Sequence, residues 1–72
     1  MKFDHSAIKR IRDFHGLSYR KMAKRLGVSV ASVYDWEKAK STPTVNNLDK
    51  IIGVFGVEPS FFWVESNTNE LD

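Results

Sequence analysis

Cysteine is absent from this 72-residue chain. Disulfide staples and thiolate metal sites are therefore excluded, and the composition fits a reducing, cytoplasmic setting. Long apolar runs are lacking too. Nothing approaches the roughly 20 consecutive apolar residues of a membrane span, and Phe3-Asp4-His5-Ser6 follows Met1-Lys2 where a secretory signal would need an apolar stretch. No membrane partner is expected. His5 and His15 stand apart with no HExxH spacing and no carboxylate cluster around them, so both read as surface residues rather than metal ligands. The serines lack a nucleophile-elbow glycine pattern and there is no glycine-rich phosphate loop. The expectation is a protein that is not an enzyme, with no cofactor and no small-molecule ligand.

What is present is one domain's worth of chain with a modest core, 42% apolar and 28% charged. The net charge of +2 conceals a lopsided distribution. Residues 1–40 carry ten basic side chains against four acidic ones, a balance of +6, while residues 41–72 carry one against five, a balance of −4. A basic half beside an acidic half suggests one surface facing a polyanion and another facing elsewhere.

No repeat or low-complexity segment interrupts the chain. Apolar residues recur at helical spacing in short segments separated by turn signals. The spacing predicts a first helix capped by Asp4 or Ser6, with Ile8, Ile11 and Phe14 on one side and Gly16 at its end. A second is capped by Ser18, carries Met22, Ala23 and Leu26, and closes at Gly27. Ser29 caps a third, with Val33 and Trp36 facing inward. After the Ser41-Thr42-Pro43-Thr44 loop, a fourth bears Val45, Leu48, Ile51, Ile52 and Phe55 and ends at Gly56. Val57 acts as a plug between helices, and Pro59 opens a short fifth helix containing Phe61, Phe62 and Trp63. No strand of useful length shows alternation. The fold class is thus a compact all-α domain of five helices over residues 1–64. A polar, aperiodic stretch at residues 65–72 reads as a flexible tail.

The segment from Tyr19 to Trp36 carries the functional signal. A helix-turn-helix unit brings two helices together at a steep angle, and their closest approach tolerates only a small side chain. Ala23 is that residue. Four positions later the turn needs positive φ, which Gly27 supplies at little cost. Val28 and Val33 are the apolar residues that lock the second helix of the unit to the first. Trp36 continues their face, and Met22 and Leu26 point back into the domain. Any one match would be weak, but the seven occur together.

On these residues the chain resembles the lambda-repressor/Cro type of helix-turn-helix domain, the xenobiotic-response-element family. The resemblance runs from about Ile8 to Trp63, through Ile8-Lys9-Arg10-Ile11-Arg12, Gly16-Leu17-Ser18, Met22-Ala23, Leu26-Gly27-Val28-Ser29, Val33, Trp36-Glu37, Pro43-Thr44 and Phe55-Gly56-Val57. It implies that the third helix enters the major groove of double-stranded DNA while the second crosses the backbone. Val30, Ala31, Ser32, Tyr34 and Asp35 would then meet base edges. Tyr19 stands where the family has a phosphate-binding glutamine, with a hydroxyl able to donate. The family's glycine after the third helix is Ala39 here, which would let that helix run further. Arg12 and Glu37 match the family's pair between the first helix and the end of the reading helix.

The reading face contains no Arg, Lys, Asn or Gln, the side chains that pair bidentately with purines. Affinity would come mainly from Arg20, Lys21, Lys24, Arg25, Lys38 and Lys40 on phosphates. Val30 and Ala31 suit thymine methyl groups, and Asp35 suits a cytosine amino group or a nearby Lys or Arg. Phe61-Phe62-Trp63-Val64 is too bulky to be buried entirely, so Phe61, Trp63 and Val64 are the candidate surface of a homodimer. The overall expectation is a dimeric, sequence-specific repressor on a palindromic operator, either Cro-like or a controller. An antitoxin or another helix-turn-helix domain repurposed to bind protein is the alternative.

Overall fold

The computed structural model describes residues 2–64, and the tail expected at residues 65–72 lies outside them. In chain order the elements are β1 (Lys2–Phe3), α1 (Ser6–Phe14), α2 (Tyr19–Leu26), α3 (Val30–Glu37), α4 (Val45–Phe55), a 3-10 turn (Pro59–Phe62) and β2 (Trp63–Val64).

Three helices start in the same way. Ser18, Ser29 and Thr44 each hold an extended backbone, and each side-chain oxygen accepts the amide hydrogen of the third residue into its helix, Lys21, Ser32 and Asn47. The first helix differs, because the residue before it, His5, caps nothing with its side chain. Asp4 does that work, accepting from the amide of Ser6 at 3.1 Å and from its hydroxyl at 2.6 Å. The Ser6 hydroxyl, helped by Arg10, holds the Asp4 carboxyl below its ordinary range.

The core lies where the helices converge. Ala7, Ile8 and Ile11 meet Met22, Ala23 and Leu26, with Val33 and Trp36 from α3, Ile51 from α4, Phe3 from β1 and Phe62 from the 3-10 turn. Val57 packs half-buried against this cluster, as the plug expected between helices. Two residues assigned to inward faces are outside. Phe14 is 85% exposed and Val45 76% exposed. Each is the terminal residue of its helix. The stripe set by Ala7, Ile8 and Ile11 continues toward His15, leaving Phe14 at its edge. Its ring meets His15 edge-on at 5.2 Å.

The fold is helical but has four α-helices among the described residues, not five. The expected fifth helix is one 3-10 turn, after which Trp63 is extended at φ −125° and ψ 141°. Trp63 and Val64 pair antiparallel with Phe3 and Lys2 respectively, and the Asp4 amide donates to the Phe62 carbonyl at 2.7 Å. This ribbon pulls Trp63 out of the helical path and joins the first and last of the described residues. Each strand has two residues, too few for alternation to register in the sequence.

The third helix does not run on past Glu37. Ala39 takes φ 59°, the left-handed conformation expected of a glycine. The Lys40 amide then reaches the Asp35 carbonyl at 2.9 Å and the Ala39 amide the Trp36 carbonyl at 3.4 Å, so carbonyls at the helix end are satisfied. A side chain in this region costs about 1 kcal/mol. Ala39→Gly is therefore expected to stabilise the domain by about that amount. For a domain of this size that raises the thermal midpoint by roughly 4–8 °C in circular dichroism melts. A lower midpoint would show that the turn carries no strain.

Candidate nucleic-acid interface

The unit formed by α2 and α3 has the geometry that the sequence pattern requires. Ala23 is buried between the helices, and Gly27 adopts φ 69°. A Cβ at Gly27 would meet no atom within 4 Å. The requirement there is backbone conformation, not space. Behind the turn, Met22, Leu26, Val33 and Trp36 are buried and Val28 packs against them. This leaves one side of α3 with no role in the core.

That side carries Val30 and Tyr34, 42% and 41% exposed, together with Ala31, also exposed, and the half-buried Ser32 and Asp35. Ser32 is partly engaged at home: its amide donates to the Ser29 hydroxyl oxygen, and the two hydroxyls lie 2.9 Å apart. Among the described residues the Asp35 carboxylate forms no ion pair, so the Lys or Arg partner considered for it is not found there. Its main-chain carbonyl instead receives the Lys40 and Ser41 amides.

The cations divide into two groups. Lys38 and Lys40 bring their ammonium groups to 5.5 Å and 5.7 Å from the centre of the Tyr34 ring. They therefore flank the exposed Tyr34 side chain as a cation–π cluster, a convergence that residue order does not reveal. Lys21, Lys24 and Arg25 gather beside the turn after α1, where with His15, Gly16 and Leu17 they line an open groove of about 480 Å³. Arg20 is exposed on the same helix but outside that groove.

The third helix is tied to the scaffold through Arg12. Its Nε donates to Glu37 Oε2 at 2.7 Å, its Nη2 to Oε1 at 3.2 Å, and its Nη1 to the Leu17 carbonyl at 3.1 Å. The side chains are 13% and 3% exposed, so the expected pair forms and is largely out of water. The Glu37 carboxylate, as hydrogen-bond acceptor and opposite charge, raises the already high pKa of Arg12 further. The guanidinium also lies 4.1 Å over the Tyr19 ring, and that ring meets Tyr34 edge-on at 5.6 Å. Tyr19, expected at the start of α2 as a phosphate donor, is half-buried and forms the underside of the Arg12–Glu37 pair.

Away from α3, Phe61, Trp63 and Val64 are all partly exposed while Phe62 is fully buried. Arg10, paired with Asp4 at 3.1 Å, lies 5.0 Å over the Phe61 ring. Phe61 also borders an apolar groove of about 450 Å³ that includes Phe14, Phe55 and Val57. Phe14, whose spacing predicts an inward position, is exposed and adds to this patch. The histidines differ from each other. His15 is exposed and stacks obliquely on Phe55 at 4.9 Å. His5, expected at the surface, is half-buried and bonded to the main chain of α3. Among the described residues no three His, Cys, Asp or Glu side chains come together as metal ligands, and no helix is long and apolar enough to cross a membrane.

A family profile described as helix-turn-helix matches residues 8–62. The chain belongs to that family, in its Cro/C1-type branch. It is 34% identical over 58 residues to a protein of Sulfolobus acidocaldarius named "Putative HTH-type transcriptional regulatory protein", covering 81% of this chain and 19% of that one. A protein of the same name from Sulfurisphaera tokodaii is 34% identical over 56 residues, covering 78% and 19%. The chain thus spans about a fifth of the length of these curated relatives. No solved structure gives a significant match.

Breaking a buried pair strands one charge, at a cost of about 3–5 kcal/mol. The whole stability of a domain is commonly about 5–15 kcal/mol, so Arg12→Met or Glu37→Leu alone should lower the urea midpoint severely. The double variant, which strands neither charge, should recover much of that loss. Additive losses would show that the two side chains do not act as a pair.

Proposed function

We propose that the chain is a DNA-binding transcription regulator whose third helix reads the major groove of double-stranded DNA. The observation that carries this is the division of α3: Val33 and Trp36 are sealed in the core while Val30, Ala31 and Tyr34 face outward beside Lys38 and Lys40. A short helix held rigidly from behind, with contact chemistry in front and cations at its margin, suits a groove lined by phosphates. Val30 and Ala31 contact thymine methyl groups, the Tyr34 and Ser32 hydroxyls bond base edges or phosphates, and Asp35 accepts from a cytosine amino group. Arg20, Lys21, Lys24, Arg25, Lys38, Lys40 and the Tyr19 hydroxyl hold the backbone. The names of the curated relatives agree with this reading.

The regulator acts in the cytoplasm as a homodimer through Phe61, Trp63 and Val64, on a palindromic operator whose half-sites lie about one helical turn, roughly 34 Å, apart. Occupancy of that operator represses, in the manner of a Cro-like or controller protein. A second reading, a helix-turn-helix domain turned to binding protein, is favoured by one observation: α3 lacks Arg, Lys, Asn and Gln.

Titration with duplexes selected from a random pool tests the first reading. If a dimer neutralises about 6–10 phosphates, log K should fall against log salt with a slope of roughly −5 to −9. Lys24→Ala should weaken all sequences alike and flatten that slope. Val30→Asp should abolish preference for the selected duplex without loss of helix content. No duplex binding at about 50 mM salt would favour the protein-binding reading. For the dimer, Trp63→Glu should shift the sedimentation profile to monomer, and an unchanged dimer would put the interface elsewhere.

A further inference from the structure

The last turn of α3 ends with carbonyl groups that have no partner within the helix, and it contains no basic side chain to meet them. The turn after it satisfies some of these groups, and the Ala39 amide reaches the Trp36 carbonyl at a long 3.4 Å. His5 reaches it from the other end of the domain. Its Nδ1 lies 2.7 Å from the Trp36 oxygen, across 31 residues of sequence. A carbonyl oxygen can only accept, so Nδ1 must carry the hydrogen and donate it.

The imidazole is itself held in place. Phe3 meets it edge-on with centroids 4.9 Å apart, and Phe3 is in turn flanked by Phe62, stacked at 6.1 Å, and Trp63, edge-on at 5.4 Å. The main chain of Phe3 is fixed opposite Trp63 in the terminal ribbon. A continuous line therefore runs from the ribbon through Phe3 and His5 to the end of α3.

We infer that His5 is a positioning residue for the reading helix: its Nδ1–H fixes the last turn of α3 against the terminal ribbon and so sets how Tyr34, Lys38 and Lys40 are presented to DNA. This rests on the proposed function, since it concerns the accuracy with which that helix reads. Arg12 fixes the Glu37 side chain, whereas His5 fixes the main chain one residue earlier. The two anchors approach the helix end through different atoms.

Two variants of the full chain separate the donor from the packing. His5→Leu keeps an apolar body and loses the N–H, while His5→Asn places an amide N–H near the position of Nδ1. The first measurement is amide hydrogen exchange. In His5→Leu the Lys38 and Lys40 amides, which donate to the Tyr34 and Asp35 carbonyls, should exchange about tenfold faster. The Val28 amide, bonded to the Ala23 carbonyl in the helix-turn-helix turn, should keep its protection. His5→Asn should restore the slow exchange. Unchanged protection in His5→Leu, a uniform loss across the domain, or failure of His5→Asn to restore it would each overturn the assignment.

The second measurement is the ratio of affinities for a selected and an unrelated duplex. His5→Leu should reduce that ratio about tenfold with the salt slope unchanged, and His5→Asn should recover it. An unaltered ratio would overturn the link between the anchor and reading. If the unmodified chain binds no duplex, the proposed function fails, and the exchange data still decide whether His5 holds the helix end.

Discussion

One planar cation joins most of this small domain. Arg12 belongs to α1, bonds both carboxylate oxygens of Glu37 at the end of α3, donates to the Leu17 carbonyl before α2, and covers the face of Tyr19 at the start of α2. Guanidinium suits this position because its donors are fixed in a plane, which allows a two-pronged bond to a carboxylate while the flat face stacks on an aromatic ring. Lysine would supply the charge without the plane. Removing such a group from water is costly, and the hydrogen bonds that offset the cost are also those that fix the angle of α3. Stability and the presentation of the outer face of α3 depend on the same contact.

That dependence separates the domain into a back and a front. At the back, Ala23 and the left-handed Gly27 allow α2 and α3 to approach closely, and Val33 and Trp36 fill the join. The front exposes Val30, Ala31 and Tyr34, and Tyr34 meets the back through the edge of the Tyr19 ring. Its apolar and hydroxyl chemistry departs from the amide and guanidinium side chains usual in base reading, and Tyr34 with its two flanking ammonium groups combines a base-sized ring with phosphate-seeking charge.

The helix-turn-helix was legible in the sequence because its steric demands fall on residue types: a small side chain at position 23, a residue tolerant of positive φ at 27, and apolar residues at 28 and 33. The caps Ser18, Ser29 and Thr44 were legible for the same reason, since a short side-chain oxygen must meet a free amide a fixed distance along the chain. Other features depend on what arrives from far away. Trp63 looked helical beside Phe61 and Phe62, and only the presence of Phe3 opposite it makes it a strand. Phe14 fitted an inward stripe, but it is the last residue of α1 and faces outward at the rim of a groove. His5 looked like a surface residue because its partner is 31 positions distant. Ala39 is a different case: the turn there is set by the bonds from Lys40 to Asp35 and from Ala39 to Trp36, which prevail over alanine's own preference for continuing the helix. Among the candidate contacts the individual cations were legible. Their grouping was not, because it depends on how Ala39 reverses the chain and on how α1 borders α2.

The ribbon that pairs Phe3 with Trp63 also determines how the unit attaches to anything else. With residues 2 and 64 opposite one another, the described part of the fold begins and ends at a single doorway. A larger host could interrupt itself there, accommodate the whole bundle as an insert, and resume with its own path barely displaced. The same doorway makes circular permutation feasible: a short bridge across it would permit new ends to be opened between Ser41 and Thr44, past the turn that closes α3, leaving the helix-turn-helix uncut.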